Sequence, residues 1–235
     1  IDRIVTPVLE RADQVFGREY SAVLYGSGAR EEYLAGVSDV NLLIVADAMP
    51  VERLRALHAA LAGLERERQP LPLLIEREEW RRATDVFPIE IADMTIARKV
   101  LRGPDPVADL RVEAGDLRRV LESELLGKLL HLRQAYALYV GDETALGAVA
   151  GSTVSSIAAL FRVALSLHGK SVPAATPACL AAAGQAMGIV AAPVVELWQK
   201  RSPKGFGCAP SLFEGYVTAV SAAVRVIDQF SEGGN

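Results

Sequence analysis

Apolar residues recur at Ile4, Val8, Leu9, Ala12 and Phe16, three and four apart, so residues 2–16 read as an amphipathic helix that Gly17 closes. The period then changes. "SAVLYG" and "VNLLIVA" are short apolar runs of branched and aromatic residues that read as strands, with "AREEYLAG" between them as a short helical stretch. Leu54, Leu57, Leu61 and Leu64 mark a second amphipathic helix over 51–68, with Pro70 and Pro72 beyond it. "LPLLIE" and "FPIEIADM" are two further strand candidates, separated by the charged segment "REEWRRATD". Strands alternating with helices in this way predict an α/β sandwich.

After "LRGPDPVADLRVEAGD" the pattern is helical to the end of the chain. Asp116 is the expected N-cap of a long helix whose stripe runs through Leu117, Leu121, Leu125, Leu129, Leu132, Tyr136 and Val140 to Gly141. Ala- and Leu-rich helices are expected at 144–168, 177–200 and 210–231, punctuated by "GKSVPAATP" and "SPKGFGCAP", and the tail "SEGGN" is expected to be loose. The chain therefore reads as α+β: a mixed-sheet domain over 1–113 followed by an all-α helical bundle over 114–235.

Composition narrows the function classes. With 51% hydrophobic and 23% charged residues the chain is globular, and a formal charge of −4 with pI near 5.5 argues against a surface built to grip nucleic acid. The acidic excess lies entirely in the first 113 residues, where a cation would find it. Cys179 and Cys208 are far apart and lack zinc-ligand spacing, so a reducing cytoplasm is the expected compartment, and no signal-peptide pattern is read. The apolar stretch "SIAALFRVALSL" is interrupted by Arg162 and reads as a buried helix rather than a membrane span. Structural or surface roles are expected for His58, His131 and His168. Arg162 is expected in an internal ion pair, or with Lys128 and Arg133 lining a cleft.

The chemistry-bearing stretch is "YGSGAREEYLAGVSDVNLLIV". An apolar run ends in Gly26-Ser27, and a second begins at Asp39-Val40-Asn41. Residues on alternate positions of a strand face the same way, so Asp39 and Asn41 point together. Taken one at a time, the turn, the Asp and the Asn are ordinary structural residues. Taken together at this spacing, they resemble the hG[GS]…DhDh signature of the nucleotidyltransferase superfamily. The stretch is most similar to the minimal and aminoglycoside nucleotidyltransferase branch of bacteria, in which a helical domain commonly follows the catalytic one. Ser38–Val45 and Asp85–Glu90 further resemble a bacterial group with "SDINLLIV"-like and "DVFPIE"-like segments.

The resemblance implies a nucleotidyltransferase-fold mixed sheet and transfer of a nucleoside monophosphate from an NTP to a small molecule or protein acceptor. It implies that Gly26 admits the phosphates and Ser27 donates a hydrogen bond to them. It further implies that Asp39 and residue 41 hold Mg²⁺ or Mn²⁺, and that a third acid activates the acceptor. Glu90, in Ile89-Glu90-Ile91, is favoured for that acid over Glu76 at the end of "LPLLIE". Arg30, one turn into the expected helix, is a candidate for reaching a phosphate; a solvated helix charge is its bland alternative. Asn41 departs from the signature, because an amide oxygen ligates Mg²⁺ without charge and does not bridge two cations as a carboxylate does. A catalytically lapsed nucleotide-binding or partner-binding module of the same fold is therefore the competing reading. The acceptor and the oligomeric state are not written in the sequence.

Overall fold

The structure, a computed structural model, describes residues 1–230. The first helix forms as α1 (Asp2–Phe16), burying Val5, Val8, Leu9, Ala12 and Phe16. It leads into β1 (Tyr20–Tyr25), a 3₁₀ turn over Gly26–Gly28, and β2 (Asn41–Ala46). The helix α2 (Val51–Arg66) crosses to β3 (Leu73–Glu76), which is followed by α3 (Arg77–Arg82), α4 (Pro88–Ile96) and β4 (Arg98–Arg102). The strands form one mixed sheet in the order β3-β2-β1-β4. β1 is antiparallel to both β2 and β4, while β2 and β3 are parallel, as a helical crossover allows.

Strand alternation divides the core between the two sheet faces. Ala22, Leu24, Leu42, Ile44 and Ala46 pack against α1 and α2, through Val8, Leu9, Phe16, Leu57 and Leu64. Val23, Leu43 and Val45 pack on the opposite side, against Trp80 of α3 and Ile91 and Met94 of α4. Tyr25 flanks this second cluster, and Asn41 is its partner across the β1–β2 ladder, so both belong to the α4 side.

Three sequence expectations are corrected here. "FPIEIADM" is not a strand: Pro88 occupies the first helical turn, where its missing N–H costs nothing, and Pro88, Ile91 and Met94 recur at helical spacing on the buried side. The alternation Ile89-Glu90-Ile91 imitates a strand only because the apolar run is short. "AREEYLAG" is not a helix but a series of turns after Gly26–Gly28, with Glu31 at φ 60°. The charged "REEWRR" instead forms α3, whose N-terminus is a capping box between Glu76 and Glu79.

The remainder is helical. α5 (Ala114–Tyr139) starts three residues earlier than expected, with Glu113 as N-cap and Asp116 in its first turn, paired to Arg119. α6 (Glu143–Leu167) is capped by the Asp142 carboxylate, which accepts from the Thr144 and Ala145 amides. The expected helix over 177–200 is two, α7 (Thr176–Met187) and α8 (Ala192–Gln199), separated at Gly188 in the left-handed region. α9 (Pro210–Asp228) closes the described part, and the expected loose tail at 231–235 lies outside it. α6 is long and apolar enough to cross a membrane by length and composition, but most of its surface is the buried centre of this bundle. The chain divides into two compact units, one of Ile1–Leu34 with Ser38–Val112, the other of Ala35–Val37 with the chain from Glu113 on. Arg162 is 1% exposed inside the second unit and donates to the Thr176 hydroxyl at 2.6 Å, so it lines no surface cleft; Arg133 is exposed.

The first unit carries one pH-sensitive tie. Asp13 of α1 accepts from the Tyr20 hydroxyl at 2.6 Å and faces the Arg102 guanidinium at 3.2 Å, joining α1 to β1 and β4. Burial alone would raise the Asp13 carboxyl, but the hydrogen bonds from Arg102 and Tyr20 outweigh it and hold it below its ordinary value of 3.8. A lowered carboxylate stabilises the fold above its unfolded value, and that contribution is lost as the pH falls below it. Urea unfolding of the native protein and of Asp13→Asn should therefore differ between pH 5 and 7, and the difference should shrink progressively as the pH falls below about 4. A difference that stays constant as the pH falls from about 5 towards 2 would contradict the role given to this carboxylate.

Candidate functional site

The site begins where β1 stops. Gly26 has φ 70°, and its carbonyl accepts from the Ala29 and Arg30 amides at 3.2 and 3.3 Å, which turns the chain at once. A Cβ at position 26 would lie 2.7 Å from Asn41 Nδ2. The glycine therefore serves two purposes: it takes the left-handed backbone, and it leaves room for the Asn41 side chain. The Ser27 carbonyl accepts from the Glu32 amide at 3.0 Å, while the half-buried Ser27 hydroxyl makes no hydrogen bond among the described residues.

Asp39 is held outward by its neighbours. Ser38 is buried and bonds Leu34 in both directions, N–H to carbonyl at 2.8 Å and hydroxyl oxygen from N–H at 3.1 Å. Val40 is buried too, and its N–H donates to Gln69 Oε1 at 2.9 Å. Between these anchors Asp39 is exposed, and among the described residues its carboxylate has no hydrogen bond or ion pair. Asn41 is likewise half-buried with an uncommitted amide. β2 starts at Asn41, so Gly26 and Asn41 come into contact, while Asp39 lies before the strand and not on it as the sequence pattern predicts.

The two candidate third acids separate clearly. Glu76 pairs with Ala46 at the far end of β2, five residues from Asn41, or about 16 Å at 3.3 Å per residue. Its carboxylate accepts from the Met49 amide at 2.8 Å and from the third residue of α3 in the capping box, so it is a structural group. Glu90 sits in the first turn of α4, on the sheet face that carries Tyr25 and Asn41. Burial first, and then the charges of Glu90 and Asp93, raise the Tyr25 hydroxyl above its ordinary value. Arg30 is not a solvated helix charge. Its Nη1 donates to both oxygens of Asp93, at 3.0 and 3.1 Å, with both side chains about nine-tenths buried. Sequence reasoning missed Asp93 as a partner because it placed 87–94 on a strand; helical spacing would have put Glu90 and Asp93 on one face.

No protein-family model matches this sequence, and no curated protein matches it. Among solved structures, the chain is similar to spectinomycin adenyltransferase AAD(9) from Enterococcus faecialis, crystallised with ATP and spectinomycin. The TM-score is 0.59 and the sequence identity 14%, over 97% of this chain and 99% of that one. The fold is a nucleotidyltransferase fold. A likeness at this identity establishes architecture, and the site must be judged on its own donors.

Judged so, the nucleotidyltransferase signature is present in part. Among the described residues no group of three His, Cys, Asp or Glu side chains is arranged to hold a metal ion. Asp39 is the single carboxylate in the motif, and the neutral Asn41 stands where a shared ligand would bridge two cations. The donor set does not fit a two-metal centre. It does fit one Mg²⁺, an ion that keeps several waters and is bound through one or two carboxylates together with substrate phosphates.

Proposed function

We propose that this protein is a nucleotidyltransferase that moves a nucleoside monophosphate from an NTP to a hydroxyl-bearing small molecule or protein acceptor. The observation that carries the reading is the Gly26–Ser27 turn set against Asn41, with the uncommitted Asp39 two positions before it and Glu90 in the first turn of the helix that covers this sheet face. The Ser27 hydroxyl donates to a phosphate oxygen, and the tight turn at Gly26 lets the triphosphate approach the backbone. A Mg²⁺ arriving with the nucleotide would neutralise triphosphate charge, with Asp39 and Asn41 as its protein ligands. The acceptor oxygen attacks the α-phosphorus, the bond to the bridging oxygen breaks, and pyrophosphate leaves. Glu90 takes the acceptor's proton. ATP and a polyhydroxylated aminocyclitol are the first donor and acceptor to try, because the AAD(9) structure contains ATP and spectinomycin.

Asn41 favours a second reading, binding without transfer, because a neutral ligand weakens metal binding at the step where charge develops. One variant separates the two. Asn41→Asp adds a carboxylate of nearly the same shape, and in assays with α-labelled nucleotides and Mg²⁺ or Mn²⁺ it should raise a measurable native rate by about tenfold, some 1.4 kcal/mol. A native protein that binds ATP without transferring, joined to an Asn41→Asp variant that transfers, makes the site a lapsed one. Absence of both binding and transfer in both proteins rejects the proposal.

A further inference from the structure

The residue after the turn is tied down at both ends. The Arg30 amide donates to the Gly26 carbonyl at 3.3 Å, and its guanidinium reaches across to Asp93 of α4. The side chains of Arg30 and Asp93 are 10% and 9% exposed. Glu32 Oε2 stands 3.9 Å from Arg30 Nε, so a second carboxylate from the same loop faces the guanidinium. Asp93 lies three residues after Glu90, on the same face of α4, and both act on the Tyr25 hydroxyl at the end of β1. An arginine that left this pair for a phosphate would strand Asp93 as a buried, uncompensated charge, which is strongly unfavourable.

We propose that Arg30 and Asp93 are positioning residues rather than nucleotide ligands. Their ion pair pins the Gly26–Ser27 turn to α4, so that Ser27 and Glu90 keep a fixed separation across the mouth of the site. The proposal rests on the reading of that turn as the nucleotide cradle, and it deepens that reading by giving α4 a second duty beside carrying Glu90. It also assigns Arg30 a role opposite to the phosphate contact that the sequence suggests. The interaction is local: a loop residue three positions past Ser27 fixes a helix residue three positions past Glu90.

The test uses the intact chain and a fluorescent ATP analogue with Mg²⁺. Asp93→Asn, which keeps the shape but removes the charge and one of the two acceptors, should weaken binding by about tenfold, as a small misplacement of a binding group does. It should also lower the thermal midpoint, because Arg30 is left as a buried charge without its partner, and speed amide exchange over residues 26–34. Arg30→Lys, which keeps the charge and loses the planar guanidinium, should weaken binding less. The swapped pair Arg30→Asp with Asp93→Arg should recover most of the lost affinity and slow the exchange again. Unchanged or tighter binding in Asp93→Asn would mean that the freed arginine serves the phosphates, and overturns the proposal. A swapped pair that binds no better than the single variant overturns it too. A native protein that binds no ATP removes the nucleotide reading alone. The pinning then stands or falls on whether amide exchange over 26–34 rises in Asp93→Asn and falls again in the swapped pair.

Discussion

Asp39→Ala is expected to lower nucleotidyl transfer by about 10²–10³-fold, the scale on which a preorganised electrostatic group acts in a transition state. The same change should leave stability within about 0.5 kcal/mol, because exposed positions without partners tolerate truncation. That separation follows from the local structure. Ser38 and Val40 are buried and hydrogen-bonded, so they hold the backbone whether or not residue 39 has a carboxylate. Label transfer and urea unfolding measured on one preparation check both halves. A large fall in stability would show that Asp39 is a structural residue after all. Unchanged transfer would move the charge-neutralising role elsewhere in the site.

Gly147→Ala should produce a clear loss of stability in the second unit. Gly147 lies in α6, and a Cβ there would sit 1.7 Å from the Phe206 carbonyl oxygen and 2.8 Å from its carbon. These are backbone atoms, so no rotamer change relieves the clash, and the segment approaching Cys208 must move. Its Cys208 N–H donates to the Glu143 carbonyl at 2.9 Å, at the N-terminal end of the same helix, and would be displaced with it. Overpacking of this kind costs about 1–3 kcal/mol and more when backbone is involved. Calorimetry of the variant should show a lowered midpoint. An unchanged midpoint would mean that the loop carrying Phe206 has an alternative seat of equal energy.

Elements whose sequence repeats its period over many residues were legible. The stripes of α1 and α2, the two central strands and the long α5 are read from Val8, Leu57, Leu43 and Leu125, which are buried as their spacing requires, although Val140 at the end of the expected α5 stripe is exposed. The short pieces were not legible, and for a physical reason. Over Ile89-Glu90-Ile91 three residues fit a strand and a helix equally, and only the tertiary packing of Ile91 and Met94 on Val23 and Leu43 decides. The edge strand β4 shows no alternation, because its exposed Lys99 and Val100 face solvent without a buried counterpart. The same ambiguity hid part of the site. Gly26 and Ser27 are set by a turn and Asn41 by the start of β2, so their neighbourhood was visible in the spacing, while Asp39 lies in the segment that leads into the strand. The pairing of Arg30 with Asp93 spans 63 positions and depends on a helix read as a strand.

The bracing of Asp39 between two anchored neighbours bears on recognition as well as on stability. Fixing a residue's backbone forfeits about 1–2 kcal/mol of conformational freedom, and at residues 38–40 that loss has already occurred on folding. A cation or a nucleotide that meets this carboxylate orders one short side chain and no loop. Encounter at this end of the sheet then resembles docking onto a rigid rim more than the closing of a flexible hand, and its rate should be governed by diffusion and charge rather than by rearrangement.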